Sequence, residues 1–184
     1  MPSANPIHRV AVIGFGEAGG IFAKDLAQAG VDVAVFDILF NSRRHRKRML
    51  KKAQACGLTV AGSLKDCLAP ADLVISAVTA SSALEVAQDA GTILGKGQLF
   101  LDINSVSPAT KRKAAGYVAR KGARFVEAAV MSAVPQKRLQ VPMLLGGPHS
   151  FETAERLQRI GMNATPLSDR LVWLQRSRCA AASS

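Results

Sequence analysis

Apolar residues along this chain follow two alternating patterns. Short, largely apolar runs occur at Val10–Ile13, Val31–Phe36, Asp72–Val78, Leu99–Ile103, Phe125–Val130 and Met143–Leu145, with a weaker one at Leu58–Ala61. Their lack of polar alternation predicts strands buried on both faces. Between them, apolar positions recur at helical spacing. Helices are predicted over Glu17–Ala29, ended by Gly30, and over Arg43–Ala55, ended by Gly57, where glycine supplies the left-handed stop. Another spans Ser82–Leu94, with Ser81 or Ser82 as its N-cap. One follows Ile103 with Pro108 in its first turn, and a last one spans Phe151–Ile160. Strand and helix in alternation predict a doubly wound α/β fold, with a mainly parallel sheet covered on both sides by right-handed crossovers. No repeat or linker interrupts residues 1–170, which read as a single domain, and 171–184 read as an irregular tail.

Length and composition narrow this picture. The chain has 184 residues, 48% of them hydrophobic and 20% charged, which suits one globular domain with a sizeable core. No apolar run approaches the ~18 residues of a membrane span. The opening MPSANPIHR has no apolar core and does not resemble a secretory signal, so a cytoplasmic protein is predicted. Cys56, Cys67 and Cys179 are too scattered for a disulfide framework or a zinc pair and read as inert thiols. His8, His45 and His149 lack metal-ligand spacing, so no metal is predicted.

Charge raises a separate possibility. The net charge is +11, which attracts anions, nucleic acid among them. Much of it sits in two runs, Arg43 to Arg48 and Lys111 to Lys113. Two solvated helix faces account for such runs. Aromatic residues are 5% of the chain and do not interleave with them, which argues against single-strand stacking.

The strongest chemical signal is Gly14-Phe15-Gly16-Glu17-Ala18-Gly19. It follows a strand and opens a helix, the setting in which this spacing cradles a pyrophosphate. Gly14 would permit the tight turn, Gly16 would let the backbone approach the phosphates, and Gly19 would let the helix pack close to the strand. The helix N-terminus offers free N–H groups to an anion. Asp37 lies 18 residues after Gly19, where a carboxylate accepts ribose hydroxyls. The pattern predicts a Rossmann dinucleotide site; a ligand-free glycine turn is the alternative. Asp37 favours NAD, because it would repel a 2′-phosphate, whereas Arg43 and Arg44 are near enough in sequence to hold one. NAD and NADP both stay open at this point.

Four stretches together, GFGEAGG, VAVFD, VISAVTA and LDINSVSP followed by Lys111, resemble the nucleotide-binding domain of the β-hydroxyacid dehydrogenases. This family includes 6-phosphogluconate and 3-hydroxyisobutyrate dehydrogenases, and the wording is closest to a phosphogluconate-dehydrogenase-like branch. The resemblance covers roughly residues 8 to 170. It implies that Ala77, Val78 and Thr79 line the cofactor's ribose. It also implies that Asn104 and Ser105 sit near nicotinamide and substrate, with Ser105 bonded to a substrate carboxylate or hydroxyl. From residue types alone a plain turn with helix capping serves as well. The family's glycine-rich substrate loop reads AAVMSAVPQ here, without a glycine pair. Gly146-Gly147 resembles a later structural turn.

The resemblance further implies an acid–base lysine on a long helix beyond the nucleotide-binding domain, and a helical substrate domain that usually supports a dimer. After Asp169 this chain reads RLVWLQRSRCAAASS, without a helical apolar stripe. Read one frame over with permitted codons, the stretch from Val172 onward gives LASAVKMCRSVI, which looks like the start of that helix, with a lysine codon spanning Ser177 and Arg178. The tail is therefore expected to be a frameshifted start of the helical domain, and the chain alone a weak, self-associating enzyme. Lys96 and Lys137 are the alternative acid–base groups. The predicted activity is an NAD(P)-dependent oxidation of a small hydroxy acid. A non-catalytic NAD(P)-binding or interaction module is the second reading.

Overall fold

The computed structural model describes residues 5–169. Its centre is one eight-stranded sheet in the order β3-β2-β1-β4-β5-β6-β7-β8. The first six strands are β1 (Arg9–Ile13), β2 (Asp32–Phe36), β3 (Thr59–Val60), β4 (Leu73–Ser76), β5 (Leu99–Asp102) and β6 (Arg124–Val130), and neighbours among them pair in parallel. β7 (Met143–Gly146) runs antiparallel to β6, and β8 (Ala164–Ser168) is parallel to β7. The strand order reverses between β1 and β4, and the carboxyl ends of these strands open the crevice where doubly wound sheets bind ligands.

Helices cover both faces, as strands apolar on both sides require. On one face Val10, Val12, Leu73, Ile75, Leu99, Leu101 and Val126 pack with Phe22 and Leu26 of α1 (Glu17–Gln28) and with Leu157 of α7 (Ser150–Arg159). On the other, Ala11, Ile13, Val74, Phe100 and Phe125 meet α4 (Ala83–Ile93) and α5 (Pro108–Val118) through Ala87, Ala90, Ala114 and Val118. Small residues allow α4 and α5 to cross closely: a Cβ built on Gly91 would lie 2.2 Å from the Tyr117 carbonyl oxygen. Ser107 caps α5 by accepting the Thr110 N–H, with Pro108 behind it. No described helix is long and apolar enough to cross a membrane.

Some elements depart from the sequence reading. The predicted helix over Arg43–Ala55 begins only at Arg46, as α2 (Arg46–Ala55), because Ile38–Asn41 forms a 3-10 turn and Arg43 to His45 form a further turn before it. Two short helices, α3 (Leu64–Leu68) and α6 (Val134–Lys137), and strand β8 were not predicted. Lys111 does not belong to a solvated face, since its side chain turns inward and is buried. Cys67 is buried, which pushes its thiol up to about 12, and Cys56 is half-buried. The tail, with Cys179 and its rereading, lies outside the described residues.

Candidate functional site

The turn after β1 is built from hydrogen bonds that its own sequence supplies. The Gly14 N–H donates to the Phe36 carbonyl of β2. Gly14 adopts φ +91°, and a Cβ there would lie 2.2 Å from the Ala77 carbonyl oxygen at the end of β4, so only glycine fits. A Cβ on Gly19 would lie 1.9 Å from the Gly14 carbonyl oxygen, which is how closely α1 packs on the turn. A Cβ on Gly16 would meet nothing within 4 Å. Gly16 borders open space, and that space is a cleft of about 650 Å³.

The cleft is lined by Gly14, Gly16, Asp37 and Ile38, by Leu64, and by Ala77, Val78 and Thr79. Ser82, Glu85, Val86 and Asp89 of the α4 region close its far side. Its walls are mostly apolar, with carboxylates at Asp37, Glu85 and Asp89 and, among the described residues, no lysine or arginine in the lining. Arg43 and Arg44 are exposed and stand outside it. Phe15, Glu17, Ala18 and Gly19 also fall outside the lining. The Phe15 ring is buried, stacked on Phe40 with centroids 5.7 Å apart, so only its backbone is offered to the turn. The open cradle at Gly16, the first-turn N–H groups of α1 and the carboxylate across from them fit a dinucleotide.

Asp37 has a role that its spacing did not reveal. One carboxylate oxygen accepts the Phe15 N–H at 2.7 Å and the other accepts the Leu39 N–H at 2.8 Å. It thus caps the 3-10 turn and ties β2 to the glycine turn. A carboxylate oxygen has a second lone pair, so each can take a further donor.

Asn104 is held by its neighbours. Its side chain is buried, donates to Ser76 Oγ at 2.9 Å and to Asp102 Oδ1, and accepts the Val78 N–H at 2.7 Å. The residue staples the turn after β5 to the turn that lines the cleft. Ser105, next to it, is exposed. The two neighbouring residues thus differ in exposure.

Behind this turn, one polar row crosses three strands. Ser76, Asp102 and Glu127 are register partners on β4, β5 and β6, and all are buried. Lys111 of α5 reaches them, pairing with Asp102 Oδ2 at 3.0 Å and donating to the Asp102 carbonyl at 3.0 Å. Glu127 Oε1 has no hydrogen-bond partner among the described residues. Burial is the main cause that pushes the Glu127 carboxyl from about 4.5 up to about 7; Lys111 opposes the rise and Asp102 adds to it. Sequence reasoning missed Glu127 because a lone acid in an apolar strand has no spacing signature. Lys96 is exposed just before β5, at the opposite end of that strand from Asn104, and Lys137 is exposed on α6.

Comparisons with known proteins bear on this site. The family model described as the NAD binding domain of 6-phosphogluconate dehydrogenase matches residues 9–167. The chain is similar to human mitochondrial 3-hydroxyisobutyrate dehydrogenase, 29% identical over 154 residues, covering 80% of this chain and 44% of the human protein. It is 31% identical to the 3-hydroxyisobutyrate dehydrogenase of Pseudomonas aeruginosa, covering 84% of this chain and 52% of that protein. A solved structure of a conserved hypothetical protein from Sinorhizobium meliloti 1021 superposes with a TM-score of 0.91 at 31% identity, covering 98% of this chain and 60% of that one. The chain spans about half the length of the curated relatives it matches.

Proposed function

The chain belongs to the family of the NAD binding domain of 6-phosphogluconate dehydrogenase, and from that premise we propose that it holds NAD for the oxidation of a small hydroxy acid. The observation that carries the reading is Gly16, whose missing side chain opens onto the cleft. The pyrophosphate would lie there, against the first-turn N–H groups of α1. Asp37 would accept the ribose hydroxyls with its remaining lone pairs, and Ala77, Val78 and Thr79 would flank the sugar. Glu17 and Ala18 would contribute through their backbone.

Charge favours NAD over NADP. A 2′-phosphate would enter a cleft lined by Asp37, Glu85 and Asp89 with no cation among the described lining residues, and like charges repel. Arg43 and Arg44 are exposed and stand outside that lining.

When bound, the nicotinamide supplies the hydride acceptor. The residues of this chain supply position: Asn104 fixes the Val78 turn, and Ser105 would bond the substrate's carboxylate or hydroxyl. Lys111 is the buried lysine beside that turn, and its ion pair with Asp102 holds it there as a structural cation. Proton removal from a hydroxy acid is commonly worth 10²–10⁴-fold in rate. With Lys111 so engaged, the 184 residues alone are expected to bind cofactor and turn over slowly, as the reading of a binding module also requires. Calorimetry tests the assignment. NADH should bind the unmodified chain more tightly than NADPH, and Gly16→Val should abolish both. Equal NADH affinity in the variant would remove the assignment.

A further inference from the structure

Lys52, on the last turn of α2, crosses to the glycine turn. Its ammonium donates to the Phe15 carbonyl and to the Gly16 carbonyl, each at 3.0 Å, and lies 4.5 Å from the centroid of the Phe15 ring. The ammonium passes close over Gly20, where a Cβ would come 3.0 Å from Lys52 Nζ.

We propose that Lys52 is a positioning residue for the phosphate turn, holding its peptide planes so that their N–H groups face a bound pyrophosphate. The proposal rests on the dinucleotide reading of the cleft. In a trans peptide the C=O and N–H point in opposite directions. The Phe15 carbonyl shares its plane with the Gly16 N–H, and the Gly16 carbonyl shares its plane with the Glu17 N–H. A cation that gathers both oxygens turns both N–H groups the other way, toward the side on which Gly16 borders the cleft. Of the turn's earlier donors, the Gly14 N–H is taken by the Phe36 carbonyl and the Phe15 N–H by Asp37. Asp37 and Lys52 thus divide the turn between them, one holding a donor and the other two acceptors. A charge-assisted hydrogen bond is stronger than a neutral one, so the orientation is set before ligand arrives. The ammonium also polarises the two peptides and makes their protons better donors.

The test uses the full chain with NADH, ADP-ribose and adenosine as probes, in unmodified protein and in Lys52→Met, Lys52→Gln and Lys52→Arg. Lys52 is exposed, so the variants are expected to fold. The methionine and glutamine variants should lose about tenfold in affinity for NADH and ADP-ribose, as expected for hydrogen bonds to a charged group. Adenosine, which has no phosphate, should bind within about twofold of the unmodified protein, and arginine should recover most of the loss. In the ligand-free methionine variant, residual dipolar couplings should show the Gly16 and Glu17 N–H vectors reoriented, which loss of charge alone would not cause. Unchanged NADH affinity, a parallel loss of adenosine, or unchanged N–H vectors at these two amides would each overturn the proposal. Absence of NADH binding by the unmodified chain would instead sink the dinucleotide reading, and this inference with it.

Discussion

Asp37 follows the end of β2 and Glu127 lies in the middle of β6, and their surroundings differ. Asp37 accepts two backbone N–H groups and stands at the cleft. Replacing it with serine keeps a small polar group but removes the charge that would repel a 2′-phosphate. Asp37→Ser should weaken NADH several-fold and narrow the preference for NADH over NADPH, measured by titrating both cofactors; an unchanged preference would show that this carboxylate does not select. Glu127 is buried with an unpartnered oxygen and holds its proton up to about pH 7. The folded state therefore binds a proton that the unfolded chain releases near pH 4.5. This contribution is full below pH 4.5, falls as pH rises to about 7, and is absent above. The shift corresponds to roughly 3 kcal/mol. Glu127→Gln should match the unmodified protein in urea unfolding at pH 4.5 and exceed it at pH 8; parallel curves across that range would contradict the burial argument. The position of Asp37 was legible because spacing says where the chain returns to the glycine turn. Its bonds to Phe15 and Leu39 were not, because donors depend on backbone placement that spacing leaves open.

The elements followed the apolar pattern where burial is two-sided, as in β1, β4 and β5. The pattern was silent where an element is short or half-exposed. α3 has one turn and shows no periodicity, and β8 contains Pro166 and alternates in exposure along an edge. β7 is antiparallel because residues 131–142 carry only the one-turn helix α6 and a 3-10 turn, too little for a crossover back to the start of β6. Two glycines on neighbouring helices give opposite predictions. Gly91 sits where α4 meets the Tyr117 carbonyl, so Gly91→Ala should destabilise by about 1–3 kcal/mol. Gly116 lies inside α5 with nothing near a built Cβ, and Gly116→Ala should stabilise by about 0.5–1 kcal/mol. Urea midpoints of the two variants should move in opposite directions, and a shared direction would mean that the α4–α5 packing is described wrongly.

At the scale of the whole molecule, charge is sorted. The chain carries +11, its densest basic run leads into and along α2, and the cleft holds carboxylates with no lysine or arginine among its described lining residues. A basic run of this kind predicts weak, salt-sensitive attraction to polyanions, and an acid-lined cleft predicts discrimination against a further phosphate. Only one residue of that run's helix, Lys52, turns to the glycine turn, and it does so from outside the cleft. The large apolar side chains most exposed among the described residues are Ile38, Phe151 and Leu167, and Ile38 belongs to the cleft. The measurement that most directly tests the central claim is a backbone amide NMR titration of the full chain with NADH. The dinucleotide reading predicts shifts concentrated at residues 14–19, 37–39, 64, 77–79 and 82–89. Shifts concentrated instead at Arg43 to Arg48, with the cleft unmoved, would contradict it.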